Sequence, residues 1–117
     1  MYNPLLLPDL REWLEEKDTD ALREFCEVLH PAAAAETLEA LSNVEIWEVL
    51  AAASRQRQVE IFEFIGIDRQ MELVDEVDSP RLASLVEEMA PDDRADLLER
   101  MDSAHVERLM PLIAQAE

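Results

Sequence analysis

Leu41-Ser42-Asn43-Val44-Glu45-Ile46-Trp47-Glu48-Val49-Leu50-Ala51-Ala52 is followed at once by Ala53-Ser54-Arg55-Gln56-Arg57-Gln58-Val59-Glu60-Ile61-Phe62-Glu63-Phe64. Both strings carry serine in second place, an apolar residue in seventh, glutamate in eighth and an apolar pair in ninth and tenth. The same twelve-residue frame runs from Leu5 almost to the C-terminus without an insertion. Its units begin at Leu5, Lys17, Leu29, Leu41, Ala53, Ile65, Val77, Met89 and Met101. The tenth place is Leu14, Cys26, Leu38, Leu50, Phe62, Val74, Val86, Leu98 and Met110, all apolar. The ninth is apolar apart from Thr37. A fixed period of this kind marks stacked supersecondary units, each too small to bury its own apolar face.

Within a unit, apolar residues fall at the sixth or seventh place, then at the ninth, the tenth and the first of the next unit. That is the i, i+3, i+4, i+7 stripe of an amphipathic helix. Three turns need about 10 residues and span roughly 15 Å, which leaves two or three residues for each connection. The connections carry helix-start chemistry. Asp18, Ser42, Ser54, Asp78 and Asp102 stand in second place and suit N-caps, and Ser42 with Glu45 has capping-box spacing. Pro31, Pro80 and Pro91 fall at or near the first helical position, where a missing N–H costs little. Gly66 is expected to end a helix as its C-cap, and Pro111 to end the last helix early. Helices this short are not stable alone. The sequence therefore predicts an all-α fold, a superhelical α-solenoid of about nine short helices on a twelve-residue repeat. Period-two alternation is missing, as are hairpin turn signals, and prolines interrupt any long heptad reading.

At 117 residues the chain reads as one domain, 1–117, large enough for a true core. The lone Cys26 lies at a buried place and reads as a small hydrophobe rather than a reactive thiol. The apolar run Leu5 to Leu7 is too short for a signal h-region or a membrane span. The formal charge is −18, from 28 acids against 10 bases. Nucleic acid and anionic membrane surfaces are disfavoured as partners, because binding them needs Lys and Arg. Cationic partners are favoured, and a metal ion is the simplest of them.

The acids follow the frame. The eighth place holds Glu24, Glu36, Glu48, Glu60, Glu72 and Asp96, and the eleventh adds Glu15, Glu27, Glu39, Glu63, Asp75, Glu87 and Glu99. At 100° per residue these places lie roughly opposite the apolar stripe, so the solenoid has an acidic outer surface. For most of these acids a solvated face is the whole role. Asp92 and Asp96 stand out, because at i, i+4 they share one helix face about 6 Å apart. Asp92 and Asp93 also complement the helix dipole after Pro91. Two aspartates can give one or two oxygens to a hard cation but cannot close its shell, and Mg²⁺ is commonly held by one or two carboxylates and several waters. His30, before Pro31, and His105 belong to no ligand pattern. No catalytic constellation, phosphate loop or Gly-rich turn occurs, so an enzyme is not expected.

Asp18-Thr19-Asp20-Ala21-Leu22-Arg23-Glu24 with Leu29-His30-Pro31 resembles the opening of the cytosolic N-terminal domain of MgtE magnesium transporters. Met89-Ala90-Pro91-Asp92-Asp93-Arg94-Ala95-Asp96-Leu97-Leu98 resembles that domain's most recognisable motif. The resemblance covers nearly the whole chain. It implies a right-handed superhelix that precedes CBS domains and a transmembrane pore. High Mg²⁺ draws such a domain against the CBS domains and favours the closed pore. Carried over residue by residue, it assigns interfacial Mg²⁺ ligation to Asp92 and Asp96, and to Glu60, whose flanking motif is weaker. The chain stops at Glu117, before any CBS or membrane segment, and so reads as an isolated, soluble domain of a transporter at the cytoplasmic face of the membrane. The implied parent is a homodimer, the implied partners are its CBS domains, and no nucleic acid or direct membrane contact is expected. Metal binding by the domain alone is expected to be weak or absent. The alternative is an acidic α-solenoid that docks on a protein with no metal role, as the similar short-helix stacks of flagellar motor-switch proteins illustrate.

Overall fold

The computed structural model of the chain describes residues 6–116, so Leu5, the predicted first place of the repeat, lies outside the described residues. Among the described residues there are nine helices and no strands: α1 (Leu6–Glu16), α2 (Thr19–Val28), α3 (Pro31–Leu38), α4 (Asn43–Ala51), α5 (Arg55–Glu63), α6 (Ile67–Glu76), α7 (Ser79–Glu88), α8 (Pro91–Arg100) and α9 (Ser103–Ala116). From α2 onward the helices begin at twelve-residue intervals, at 19, 31, 43, 55, 67, 79, 91 and 103. The frame read from sequence is therefore the frame of the fold. The helices pack on their second neighbours, α3 on α5, α5 on α7 and α7 on α9 in one column, α2 on α4 and α4 on α6 in the other. The result measures 40 × 23 × 22 Å, a short rod rather than a sphere.

The stripe is buried as its spacing requires. Every ninth-place residue from Phe25 to Leu109 is buried, including Thr37, whose hydroxyl donates to the Ala33 carbonyl at 3.0 Å. The tenth place is buried from Leu14 to Val86, but Leu98 is half-buried and Met110 exposed, so this place loses its cover in the last two units. Cys26 is fully buried, its thiol donates to the Val49 carbonyl at 3.6 Å, and burial pushes its pKa up to about 12. Trp47 is buried, donates its indole N–H to the Leu73 carbonyl at 3.0 Å and stacks on Phe62 with ring centroids 6.4 Å apart.

The second place caps helices as its chemistry demands. Asp18, Ser42, Ser54 and Asp78 each accept from a backbone N–H three residues on, and Ser42 with Glu45 forms the full capping box. His30 joins them, its Nδ1 accepting from the Ala32 N–H at 3.1 Å.

Two local expectations are corrected. Gly66 does not end a helix in the left-handed region; it is the N-cap of α6, with φ −59° and ψ 147°, and Phe64 is the C-cap of α5. Glycine is an accepted N-cap, and the twelve-residue frame puts the cap in that place. Among the described residues the left-handed one is instead Lys17, at φ 56°. Its N–H bonds the Leu14 carbonyl at 3.3 Å and the Asp18 N–H bonds the Trp13 carbonyl at 2.9 Å, which is a Schellman motif ending α1. A side chain at that φ is strained where glycine is not. Lys17→Gly is therefore expected to raise the stability of the fold by about 0.5–1 kcal/mol, measured by urea unfolding followed by circular dichroism.

Pro111 does not stop α9, which continues to Ala116. Leu109 and Ile113, either side of it, are buried, and this packing carries the helix through. Pro111 and Glu107 are both exposed, so the Glu107 carbonyl that loses its partner is left to water rather than buried. Pro111→Ala restores that bond and is expected to stabilise the protein by about 1–2 kcal/mol, below the full interior value because the site is solvated and near the helix end. The melting temperature rises accordingly; an unchanged one would mean that the last turns contribute nothing to the cooperative unit.

Candidate functional site: an acidic cleft at α8

The first turn of α8 follows Ala90, an N-cap with no side-chain hydrogen bond, and begins at Pro91. The exposed amide ends are faced by Asp92 and Asp93, which complement the dipole as their positions predict. Asp92 and Asp96 are both exposed, and neither is held by a hydrogen bond or ion pair from another described residue. Arg94, between them, points the other way. Its guanidinium donates to the carbonyls of Val86 and Glu87 at 3.1 and 3.0 Å and ties α8 to the end of α7.

Asp96 lines a cleft of about 280 Å³ between α8 and the α5–α6 junction. Glu63 and Asp93 line the same cleft, over the apolar residues Ile65 and Leu97, and Arg100 is its one cation among the described residues. Gln70 closes the inner wall. Its amide nitrogen donates to the carbonyls of Phe62 and Ile65 at 2.9 and 3.0 Å, satisfying the end of α5. Sequence reading placed Glu63 among the general surface acids. Its pairing with Asp93, thirty residues on, depends on how α8 sits beside the α5–α6 junction, and no local signal announces it.

The pair is electrostatically loaded. Partial burial raises the Glu63 pKa above the ordinary 4.5, with the Asp93 charge, a hydrogen bond to Asp93 and then Glu60 adding to the rise. Folding therefore favours the protonated form. That contribution is complete below the unfolded pKa and is lost as the pH rises through the folded one. Glu63→Gln keeps a hydrogen-bond donor at every pH. Its melting temperature is expected to exceed the parent's by about 1–2 °C above roughly pH 6, a modest gain because the site is largely solvated, and the difference should vanish near about pH 3.

Glu60 is differently placed. Its carboxylate accepts from the Arg57 guanidinium at 2.8 Å and from the Gln56 amide at 3.2 Å. The Arg57 bond holds its pKa below the usual carboxylate value. Glu60 is thus ionised but engaged, whereas Asp92 and Asp96 are free. Among the described residues, no group of three or more His, Cys, Asp or Glu side chains converges tightly enough to hold a metal ion. Any cation held at α8 must take further oxygens from water or from another surface.

The lining of the cleft is apolar as well as acidic, and its Ile67 is 51% exposed. Phe64, the C-cap of α5, is 55% exposed, and its ring meets His30 edge-on with centroids 5.8 Å apart. Among the described residues no helix is long and apolar enough to cross a membrane. A family model described as the MgtE intracellular N domain matches residues 29–117, which takes in α3 through α9 and the whole acidic cleft. No curated protein matches the chain.

Proposed function

The chain belongs to the family of MgtE intracellular N domains, regulatory parts of magnesium transporters rather than catalysts, and on that premise we propose that it senses Mg²⁺ by docking on CBS domains through carboxylates that the ion bridges. The observation that carries this reading is the pair Asp92 and Asp96, exposed, four residues apart and held by no described residue, on a chain of net charge −18. Mg²⁺ supplies a compact double charge that takes oxygen ligands and keeps much of its water. Asp92 and Asp96 fit that demand, with one or two carboxylate oxygens from this side. Glu60 joins as a third donor once its carboxylate turns from Arg57.

Undocked, the acids are solvated and repel an acidic partner. Docked, they are neutralised, so the docked state binds the ion more tightly and its population rises with Mg²⁺. Exposed Ile67, which lines the cleft with Asp96, supports a protein partner, because an ion alone has no use for it. In this reading docking favours the closed pore of a homodimeric transporter, with the domain at the cytoplasmic face of the membrane. The test is small-angle scattering of a protein containing this domain and the CBS domains. Compaction on adding Mg²⁺, reversed by EDTA, supports the proposal. Docking indifferent to EDTA would replace it with the metal-free docking module.

A further inference from the structure

The frame places an arginine in fifth position three times running, at Arg57, Arg69 and Arg81. Arg57 reaches back to the carbonyls of Glu27 and Leu29, each at 2.8 Å. Arg69 reaches back by the same offsets to the carbonyls of Glu39, at 3.2 Å, and Leu41. Each sews a helix onto the end of an earlier one. The same offsets from Arg81 lead to Ala51 and Ala53. Yet the Ala53 carbonyl accepts from Gln58 at 3.1 Å, and the Arg81 side chain makes no hydrogen bond or ion pair with any described residue. Arg81 keeps the repeat's residue without the repeat's role.

Its head lies instead where two clefts meet, of about 300 and 360 Å³, which share Ala51 and Arg81. Together they form a groove along α4, between the α1–α2 junction and α7. Lys17 stands in one and Arg55 in the other, both also without side-chain partners among the described residues. Glu48 shares this groove, and Arg81 also borders, with Trp47 and Glu48, a smaller cleft of about 170 Å³ that holds Glu76 and Asp78. Trp47, Leu22 and Pro80 give the walls an apolar character. A protein with 28 acids and 10 bases thus gathers three unengaged cations on one surface.

Helix energetics do not explain them. Arg55 is the first residue of α5 and Arg81 the third of α7, and neither helix has an acid in its first turn. Cations there oppose the helix dipole. Lys17 occupies a left-handed backbone position that suits glycine. Residues that break local rules without a structural return mark functional surfaces. We propose that this basic groove docks an acidic segment of a partner protein that also carries apolar side chains. Charge complementarity selects the acids, and Pro80, exposed on the groove wall, receives the apolar residues. Nucleic acid fits poorly, because its phosphates would run on past the three cations over the acidic surface, whereas a short acidic segment can end within the groove. The groove is separate from the acidic cleft and needs no metal, so the proposal stands apart from the Mg²⁺ reading.

The test uses the 117-residue chain in EDTA. The probe is a helical twelve-residue peptide of Glu, Leu and Ala, with a control in which each Glu is Lys. Amide chemical shifts should move at Ala51, Arg55, Arg81 and Ser84 with the acidic peptide and not with the basic one. Arg55→Glu with Arg81→Glu should weaken binding at least about tenfold. The same change should leave the melting temperature level or raise it, since acids suit first turns. Arg55→Gln with Arg81→Gln gives the same reading without reversed charge. No binding by the acidic peptide, equal binding by the basic one, affinity within twofold of the parent's in the variants, or capture by phosphatidylserine vesicles but not by the peptide would each overturn the proposal.

Discussion

Replacing Arg57 by alanine is expected to destabilise the fold by about 3 kcal/mol. The guanidinium donates to the carbonyls of Cys26, Glu27 and Leu29 at 3.1, 2.8 and 2.8 Å, and to the Glu60 carboxylate at 2.8 Å. The three carbonyls belong to the end of α2, whose last turn has no intrahelical donors left to satisfy it. Those of Cys26 and Leu29 are partly buried, so water replaces the lost donors poorly; that of Glu27 is exposed and recovers by hydration. Two poorly replaced charge-assisted bonds and the lost packing of the stem give the figure. A domain of this length holds about 6–15 kcal/mol in all, so the melting temperature should fall by roughly 10 °C. Arg57→Lys should recover less than half of the loss, because an ammonium cannot reproduce the planar fork.

Arg69→Ala should behave alike, for it makes the corresponding bonds and a further one to Asn43 Oδ1 at 2.7 Å. Arg81→Ala should leave stability within about 0.5 kcal/mol of the parent. Three arginines in one repeat position then separate into two that hold the solenoid and one that does not. Equal losses at all three, measured by thermal unfolding, would show that the side-chain hydrogen bonds are not what the position contributes.

The contrast also explains how far the sequence could be read. Apolar periodicity reports a face of one helix, and a face is a local property. The ninth and tenth places could therefore be assigned, and the caps at Asp18, Ser42, Ser54 and Asp78 could be assigned with them, since a cap acts three residues away. Gln58, Gln70 and Arg94 sit in the sixth place, where the stripe calls for an apolar residue. Each instead donates to a carbonyl near the end of the preceding helix. Arg11 and Arg23, in seventh place, reach the carbonyls of Ala40 and Ala52, both twenty-nine residues on. Such partners are fixed by the stacking distance of the columns, and no window on the chain shows them. Gly66 and Pro111 were misread for a related reason. Propensity weighs a residue by itself, whereas the frame had already placed the cap and the packing of Leu109 and Ile113 carried the last helix on. At the candidate site the spacing of Asp92 and Asp96 was legible and their freedom from partners was not. The engagement of Glu60 by Arg57 is an i, i+3 contact within α5 and was open to a helical reading, whereas the meeting of Glu63 with Asp93 needed the placing of α8 beside the α5–α6 junction.

Asp92→Asn with Asp96→Asn is expected to raise the Mg²⁺ concentration needed for docking by at least about tenfold. The double change keeps side-chain size and removes two formal charges from one face of α8. Both positions are exposed and neither carboxylate is engaged by a described residue, so the fold should lose no more than about 1 kcal/mol, chiefly through the dipole at Asp92. A large shift in the Mg²⁺ midpoint with little change in melting temperature therefore reports ligation rather than unfolding. Glu60→Gln should move the midpoint less than the aspartate pair, because its carboxylate must first leave Arg57, 2.8 Å away. The order of the two effects discriminates. If Glu60→Gln dominates, the bridging oxygens lie at α5, and the free face of α8 is a solvated surface that complements its own dipole. If neither change moves the scattering midpoint by more than twofold, the carboxylates act through bulk charge alone. Docking would then respond equally to monovalent salt at matched ionic strength, because screening takes no account of which oxygens face the ion.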